Sequence, residues 1–175
     1  AFLRPPESCR LLTCSLGDFF EDWRGDIIDT QQKVITRADK PITMGILRNW
    51  AFKIMRETPE ITYLIQTRRP QNVLRMLPAG RMRNIWIGIT AGCHDTLAEA
   101  ARHLIDLKQQ SVMKTGVEKV FLVCEPLIGP INLNGYGYLF DWVICGGESG
   151  KECRKMNPSW AKNLLDQCDD RGIPF

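Results

Sequence analysis

Long apolar runs, closely paired cysteines and a strong charge of one sign are all missing from this 175-residue chain. No run approaches the roughly 18 apolar residues of a membrane span, and no charged segment followed by an apolar one opens the chain. The seven cysteines form no Cys-x-x-Cys pair, and with two histidines they show no recognised metal-ligand spacing. We therefore expect no membrane span, no metal site built from these side chains, free thiols and a reducing cytoplasm.

The composition that remains is that of an ordinary globular domain. Hydrophobic residues make up 44% and charged residues 25% of the chain, and the net charge of +3 is too small to indicate nucleic acid. The length fits one domain over residues 1–175. The chain does not begin with Met, and its last residues, Gly172 to Phe175, resemble the start of a strand. We therefore expect a fragment of a longer protein.

Five segments have the composition of buried strands. Each is continuously apolar rather than alternating, which is typical of strands covered on both faces of a parallel sheet. They run from Arg10 to Ser15, Thr62 to Thr67, Asn84 to Thr90, Val120 to Glu125 and Asp141 to Gly146. The sequence therefore predicts a parallel sheet of five strands in chain order.

Helical patterns lie between these strands and complete an α/β alternation. They begin near Met44, Pro70, Thr96 and Asn157. In the first of them the spacing predicts that one face meets the core, namely Ile46, Leu47, Trp50, Ile54 and Met55. Residues 21–43 fit the alternation badly, being polar and of mixed charge, and we expect an insertion or a long loop there.

Polar and charged residues follow each predicted strand. In a parallel sheet all carboxyl ends meet at one edge, where such sheets hold their ligands. The residues there include three carboxylates, two arginines, hydroxyls and a Gly-Gly turn: Ser15, Asp18, Thr67, Arg68, Arg69, Glu125, Gly146, Gly147, Glu148 and Ser149. This set can bind a polar or anionic ligand, and its carboxylates can serve acid–base chemistry if their pKa values are shifted.

Each of these residues also has a purely structural interpretation. Asp18 can cap a turn, Glu125 can pair with an arginine to hold a strand exit, and glycines alone explain a tight turn. The arginine stretch from Arg68 to Arg83 can contact phosphates, or it can be a solvated helix face. The sequence leaves these alternatives open.

Five blocks together resemble an uncharacterised phage and prophage protein family that is related to radical S-adenosylmethionine enzymes. The blocks are Thr13–Phe20, Leu64–Pro70, Asn84–Thr90, Phe121–Pro130 and Trp142–Gly150. Two departures stand out: Ala91-Gly92-Cys93 where that family has an acid, and Arg68 where it has lysine. In addition, Gly146-Gly147-Glu148 lies on the last strand, whereas the Gly-Gly-Glu turn of radical S-adenosylmethionine enzymes lies on an early one.

The resemblance implies a partial, TIM-like (β/α) barrel that lacks its first strand. It also implies that the intact parent holds a [4Fe–4S] cluster on three closely spaced cysteines and binds S-adenosylmethionine. None of the seven cysteines here occupies that motif, so we expect no cofactor on the fragment alone and no catalysis by it.

The resemblance assigns roles to the residues at the sheet edge. Asp18, Glu125 and Glu148 become candidate catalytic groups. The candidate cofactor-binding residues are Ser15, Thr67, Arg68, Arg69, Gly146, Gly147 and Ser149. The first hypothesis is thus the barrel of a radical S-adenosylmethionine-like enzyme with an unknown small-molecule or nucleic-acid substrate. The alternatives are a nucleic-acid-binding or base-modifying accessory protein and a non-catalytic barrel that binds a phosphate or another anion.

Overall fold

A computed structural model describes residues 9–14, 17–110, 116–117 and 119–175. The elements in chain order are β1 (Cys9–Thr13), β2 (Thr36–Arg37), β3 (Lys40–Pro41), α1 (Met44–Glu57), β4 (Ile61–Thr67), α2 (Pro70–Met76), β5 (Ile85–Thr90), α3 (His94–Gln110), β6 (Lys119–Cys124), a 3-10 helix (Gly137–Leu139), β7 (Trp142–Cys145) and α4 (Pro158–Asp169). Within the described ranges, none of the helices combines the length and the apolarity that crossing a bilayer requires.

The main sheet has five parallel strands in the order β1-β4-β5-β6-β7. It curls into a half-barrel, so the prediction of a parallel sheet within a partial β/α barrel is confirmed. At one edge lies β1. Beside β7, at the other edge, the backbone N–H of Val143 donates to the carbonyl of Pro174 at 2.9 Å, so the segment after α4 runs along that strand.

The two faces of the sheet carry different apolar clusters, because alternate residues of a strand point to opposite faces. On the convex face the isoleucines of β5 are fully buried against the helices, together with Leu97 and Leu104 of α3. The concave face carries a smaller cluster of Leu64, Phe121 and Val123, with Trp86 and Trp142 packed against it. A packed layer on both faces makes the sheet a rigid base for its carboxyl edge.

The orientation of α1 agrees with the prediction only in part, because Met55 is buried as predicted but other residues of the predicted stripe are not. Phe52 and Met55 face the core, whereas Ile46, Trp50 and Ile54 are 39%, 36% and 57% exposed. The reason is the contact of Phe52 with Phe19, whose rings meet edge to face at 5.2 Å and set the rotation of the helix. Helical periodicity predicts an apolar stripe but not which of two neighbouring stripes meets the sheet.

The segment predicted as an insertion or loop contains little regular structure. It holds the short antiparallel pair of β2 and β3 and an isolated bridge between Ile28 and Val34. Arg48 of α1 ties its start to the domain, donating hydrogen bonds to the carbonyls of Phe19 at 2.9 Å and Glu21 at 2.8 Å. The main chain at Phe19 and Glu21 is therefore held against α1.

Candidate functional site

Two adjoining cavities open at the carboxyl edge of the half-barrel. The smaller one, of about 370 Å³, lies between β1 and β4 and is lined by Asp18, Thr67 and Arg69 among others. The larger one, of about 870 Å³, extends across β5 and β6 to the loop after β7. Four residues line both cavities: Leu12, Gln66, Arg68 and Thr90. The side chains at the mouth are therefore supplied by all five strands or the loops that follow them.

Nine of the ten predicted site residues are described, and Ser15 lies outside the described residues. Asp18, Thr67, Arg68 and Arg69 line the smaller cavity. Around the larger cavity the structure brings together Arg68, Glu125, Gly147, Glu148 and Ser149. Gly146 lies beneath Glu125: a Cβ on this glycine would be 3.2 Å from the Glu125 Cδ. Glycine at this position therefore leaves room for the glutamate.

Asp18 is almost fully engaged in hydrogen bonds with its own surroundings. Its Oδ1 accepts from the Thr67 hydroxyl at 2.6 Å and from the backbone N–H of Phe20 at 2.9 Å. Its Oδ2 accepts from the backbone N–H of Arg68 at 2.8 Å and from the Arg69 guanidinium at 3.1 Å. The carboxylate thus ties the loop after β1 to the end of β4, and little of it is left for a ligand.

Arg69 bridges two acids of the same loop. Its second guanidinium nitrogen donates to Glu21 at 2.7 Å, while the first holds Asp18. The Thr67 hydroxyl accepts from the Arg69 backbone N–H at 2.9 Å in addition to its bond to Asp18. Thr67 and Arg69 therefore hold Asp18 and Glu21 in place beside the smaller cavity.

Glu148 forms a two-pronged ion pair with Arg154, six residues further along the chain. The Arg154 guanidinium donates to both carboxylate oxygens at 2.7 Å, and the Arg154 backbone N–H adds a third bond at 2.8 Å. These hydrogen bonds from the Arg154 side chain and then from its backbone lower the pKa of Glu148 to about 2. Glu148 is therefore ionised and occupied, and its partner is Arg154, a residue to which the sequence assigned no role.

Arg68 and Glu125 are the charged residues at the mouth whose side chains remain available. Within the described residues, neither the Arg68 guanidinium nor the Glu125 carboxylate takes part in a hydrogen bond or ion pair. Both residues are exposed, and both line the larger cavity, one at the end of β4 and the other at the end of β6. A cation and an anion thus face the same space from two sides.

Two thiols near the site differ in their chemistry. Burial, with a smaller contribution from the charge of Asp18, raises the pKa of Cys14, which lines the smaller cavity. Cys93, just before α3, is the opposite case: hydrogen bonds from the backbone and hydroxyl of Thr96 lower its pKa. The sequence around Cys93 does not indicate this lowered pKa, because the hydrogen bonds with Thr96 form only in the first turn of the helix.

The side chains of the described residues do not fit an iron–sulfur cluster. Such a cluster needs several thiolate ligands close together, and no group of three or more His, Cys, Asp or Glu suited to a metal occurs in the part of the chain that the structure describes.

Comparison with known proteins identifies one family. The model of a family described as a protein of unknown function, DUF5131, matches residues 38–175. No curated protein and no solved structure matches the chain. The match covers the sheet from β4 to β7 and all four helices, and so includes Arg68, Glu125 and Glu148.

Proposed function

The chain belongs to the DUF5131 family of proteins of unknown function, and we propose that its half-barrel binds a small molecule that carries both an ammonium and a carboxylate group. The observation that carries this proposal is a pair of charges on two sides of the larger cavity, Arg68 and Glu125, which have no ion-pair partner among the described residues. A carboxylate of the ligand pairs with the Arg68 guanidinium, and an ammonium group donates to Glu125. Ligands in α/β proteins bind at this edge of the sheet.

Arg154 adds a second cationic group to the wall of the cavity. Its pairing with Glu148 uses the Nε and one Nη2 hydrogen, which leaves three of the five guanidinium N–H groups for a ligand. Glu148 thus acts as the residue that positions Arg154, and Ser149 offers a hydroxyl beside it. Glu148 therefore contributes to binding indirectly, through Arg154, whereas Glu125 contacts the ammonium group of the ligand directly.

S-adenosylmethionine is the zwitterionic ligand that the resemblance favours. Its methionine end carries the required ammonium and carboxylate, and its sulfonium centre supplies an activated carbon–sulfur bond when bound. Arg68 and Glu125 hold that end by charge-assisted hydrogen bonds. Radical chemistry would require a cluster for which the described residues offer no ligands, so no step is assigned to it.

The alternative of a nucleic-acid-binding protein has less support than the arginine stretch indicates. Arg69 is paired with Asp18 and Glu21, and Arg75 donates to Asp22 at 3.4 Å. Phosphate contacts need guanidinium groups that are free to turn outward. The ion pairs reduce the charge that this stretch presents.

Isothermal titration calorimetry with S-adenosylmethionine and with L-methionine tests the proposal. Arg68→Gln and Glu125→Gln each remove one charge, and we expect each to weaken binding by about 10- to 100-fold, as for the loss of a charge-assisted hydrogen bond. Arg102→Gln and Glu60→Gln, which remove the same charges from exposed positions outside both cavities, serve as matched controls. Absence of binding, or equal losses in the controls, would refute the proposal.

A further inference from the structure

The larger cavity continues beyond the sheet edge as a groove along α3. Thr96, Glu99, Ala100 and His103 all line it. These positions follow the spacing i, i+3, i+4, i+7, which places them in one stripe on a single helix face, about 10 Å long. On the other side the groove is bounded by Pro70 and Gln71 at the start of α2. The groove is thus a defined space between two helices and lies next to the charged mouth.

The side chains in this groove combine an apolar floor with polar edges. Ala100 is almost fully buried, and Ile128, which is 39% exposed, adds an aliphatic surface. Gln71, Glu99 and His103 line the same space, and within the described part of the chain none of the three side chains takes part in a hydrogen bond or ion pair. Each therefore retains its hydrogen-bonding capacity for a ligand.

From this arrangement we infer that the groove is a subsite for a purine or pyrimidine ring. A flat heterocycle lies on an apolar floor and presents donors and acceptors at its edge, which matches a carboxylate, a carboxamide and an imidazole around Ala100 and Ile128. A phosphate does not suit the groove, because Glu99 repels an anion. An alkyl chain does not suit it either, because it would leave three polar side chains without partners.

The inference deepens the proposed function, on which it rests, by naming the class of ring that the cavity holds beside the zwitterion. A volume of about 870 Å³ lies near the top of the range of about 300–1,000 Å³ for sites that hold one drug-sized ligand. A zwitterion between Arg68 and Glu125 leaves the groove along α3 open. A nucleoside, either free or as part of a strand, supplies that ring, and binding of cytidine distinguishes it from the adenine of S-adenosylmethionine.

Equilibrium dialysis of the 175-residue chain with adenosine and with cytidine tests the subsite. We expect Glu99→Ala and His103→Ala each to weaken binding by about three- to tenfold, the effect of one lost hydrogen bond. Arg102→Ala and Asp106→Ala are matched controls, because both are exposed on the same helix and neither lines the cavity. Alanine favours the helix at all four positions, so folding is preserved.

Two further arms separate the outcomes. A short single-stranded oligonucleotide that binds more tightly than the nucleosides, with an affinity that falls as salt rises, identifies a strand as the source of the base, whereas equal affinity identifies a free nucleoside. Both results support the subsite. Nucleoside binding that is absent, or that falls equally in the controls, overturns it. Binding of L-methionine is measured on the same variants. If the zwitterion site is wrong, L-methionine does not bind, and this result is independent of nucleoside binding.

Discussion

The carboxylate of Glu148, a predicted site residue, is paired with Arg154. Its ion pair with Arg154 holds the loop after β7 in a compact turn beside the cavity. Because hydrogen bonds from Arg154 lower the pKa of Glu148 to about 2 from an ordinary 4.5, the pair stays ionised far into the acidic range. The stabilisation of the loop is complete above pH 4.5 and is lost as the pH falls through about 2.

We expect an NMR titration of the Glu148 side-chain carboxyl carbon to have its midpoint below about pH 3. In Arg154→Ala, which removes the side chain that donates two of the three hydrogen bonds, the midpoint should move towards 4.5. A midpoint near 4.5 in the unmodified protein would show that the ion pair does not persist in solution.

Asp18 links its own loop to the end of β4 through four hydrogen bonds. An Asp18→Asn substitution keeps the shape but turns one acceptor into a donor that faces N–H groups, so at least one of four hydrogen bonds is lost. We expect the free energy of unfolding to fall by about 1–3 kcal/mol in urea denaturation. Asp26→Asn, at an exposed position in the same segment, should have little effect. Similar stabilities for the two variants would contradict the role of Asp18 as a tie.

Among the strands, β5 depends on a glycine for its packing. A Cβ on Gly88 would lie 2.4 Å from two atoms of the Phe121 ring, which occupies the concave face directly above it. Gly88→Ala must therefore displace the ring, and we expect thermal and urea unfolding to show a loss of about 1–3 kcal/mol.

The helix α1 offers the opposite case for comparison. A Cβ on Gly45 would meet its nearest atom, the Thr43 hydroxyl oxygen, at an ordinary 3.7 Å. Gly45→Ala should therefore stabilise the domain by up to about 1 kcal/mol, because alanine loses less backbone freedom on folding. If Gly88→Ala proved as stable as Gly45→Ala, the proposed packing of Phe121 over Gly88 would be wrong.

For the whole molecule, the edge strand β1 governs the tendency to associate. Its backbone groups on the outer side face no further strand of the described sheet, and Leu11 and Leu12 are 47% and 50% exposed. Exposed apolar edge strands pair with other chains. We expect light scattering to show concentration-dependent association that Leu11→Lys reduces.

Leu165→Lys is the matched control for this prediction. Leu165 is an apolar residue of α4 that is 37% exposed and lies far along the chain from β1. The added charge is the same, so an equal reduction of scattering by both variants would point to net charge rather than to the edge strand as the cause.

Much of the architecture followed from local patterns. Continuous apolar runs predicted β4 to β7 and their parallel arrangement, because only strands covered on both faces have that composition. The collection of Arg68, Glu125 and Glu148 at one edge followed in turn, since parallel strands bring their carboxyl ends together. The rotation of α1 was predicted only in part, because the contact of Phe52 with Phe19 involves a residue 33 positions away in the chain.

Which charges at that edge are free is a matter of three-dimensional contacts. In the amino-acid sequence, nothing distinguishes the three acids Asp18, Glu125 and Glu148 from one another. Folding places Asp18 against Thr67 and Arg69 and closes Glu148 onto Arg154, while Glu125 keeps no such partner within the described residues. Residue types and their order determine that carboxylates lie at the carboxyl edge of the sheet, because each of them follows a strand closely in the sequence. Their availability depends on distances between side chains far apart in the chain, and those exist only once the chain has folded.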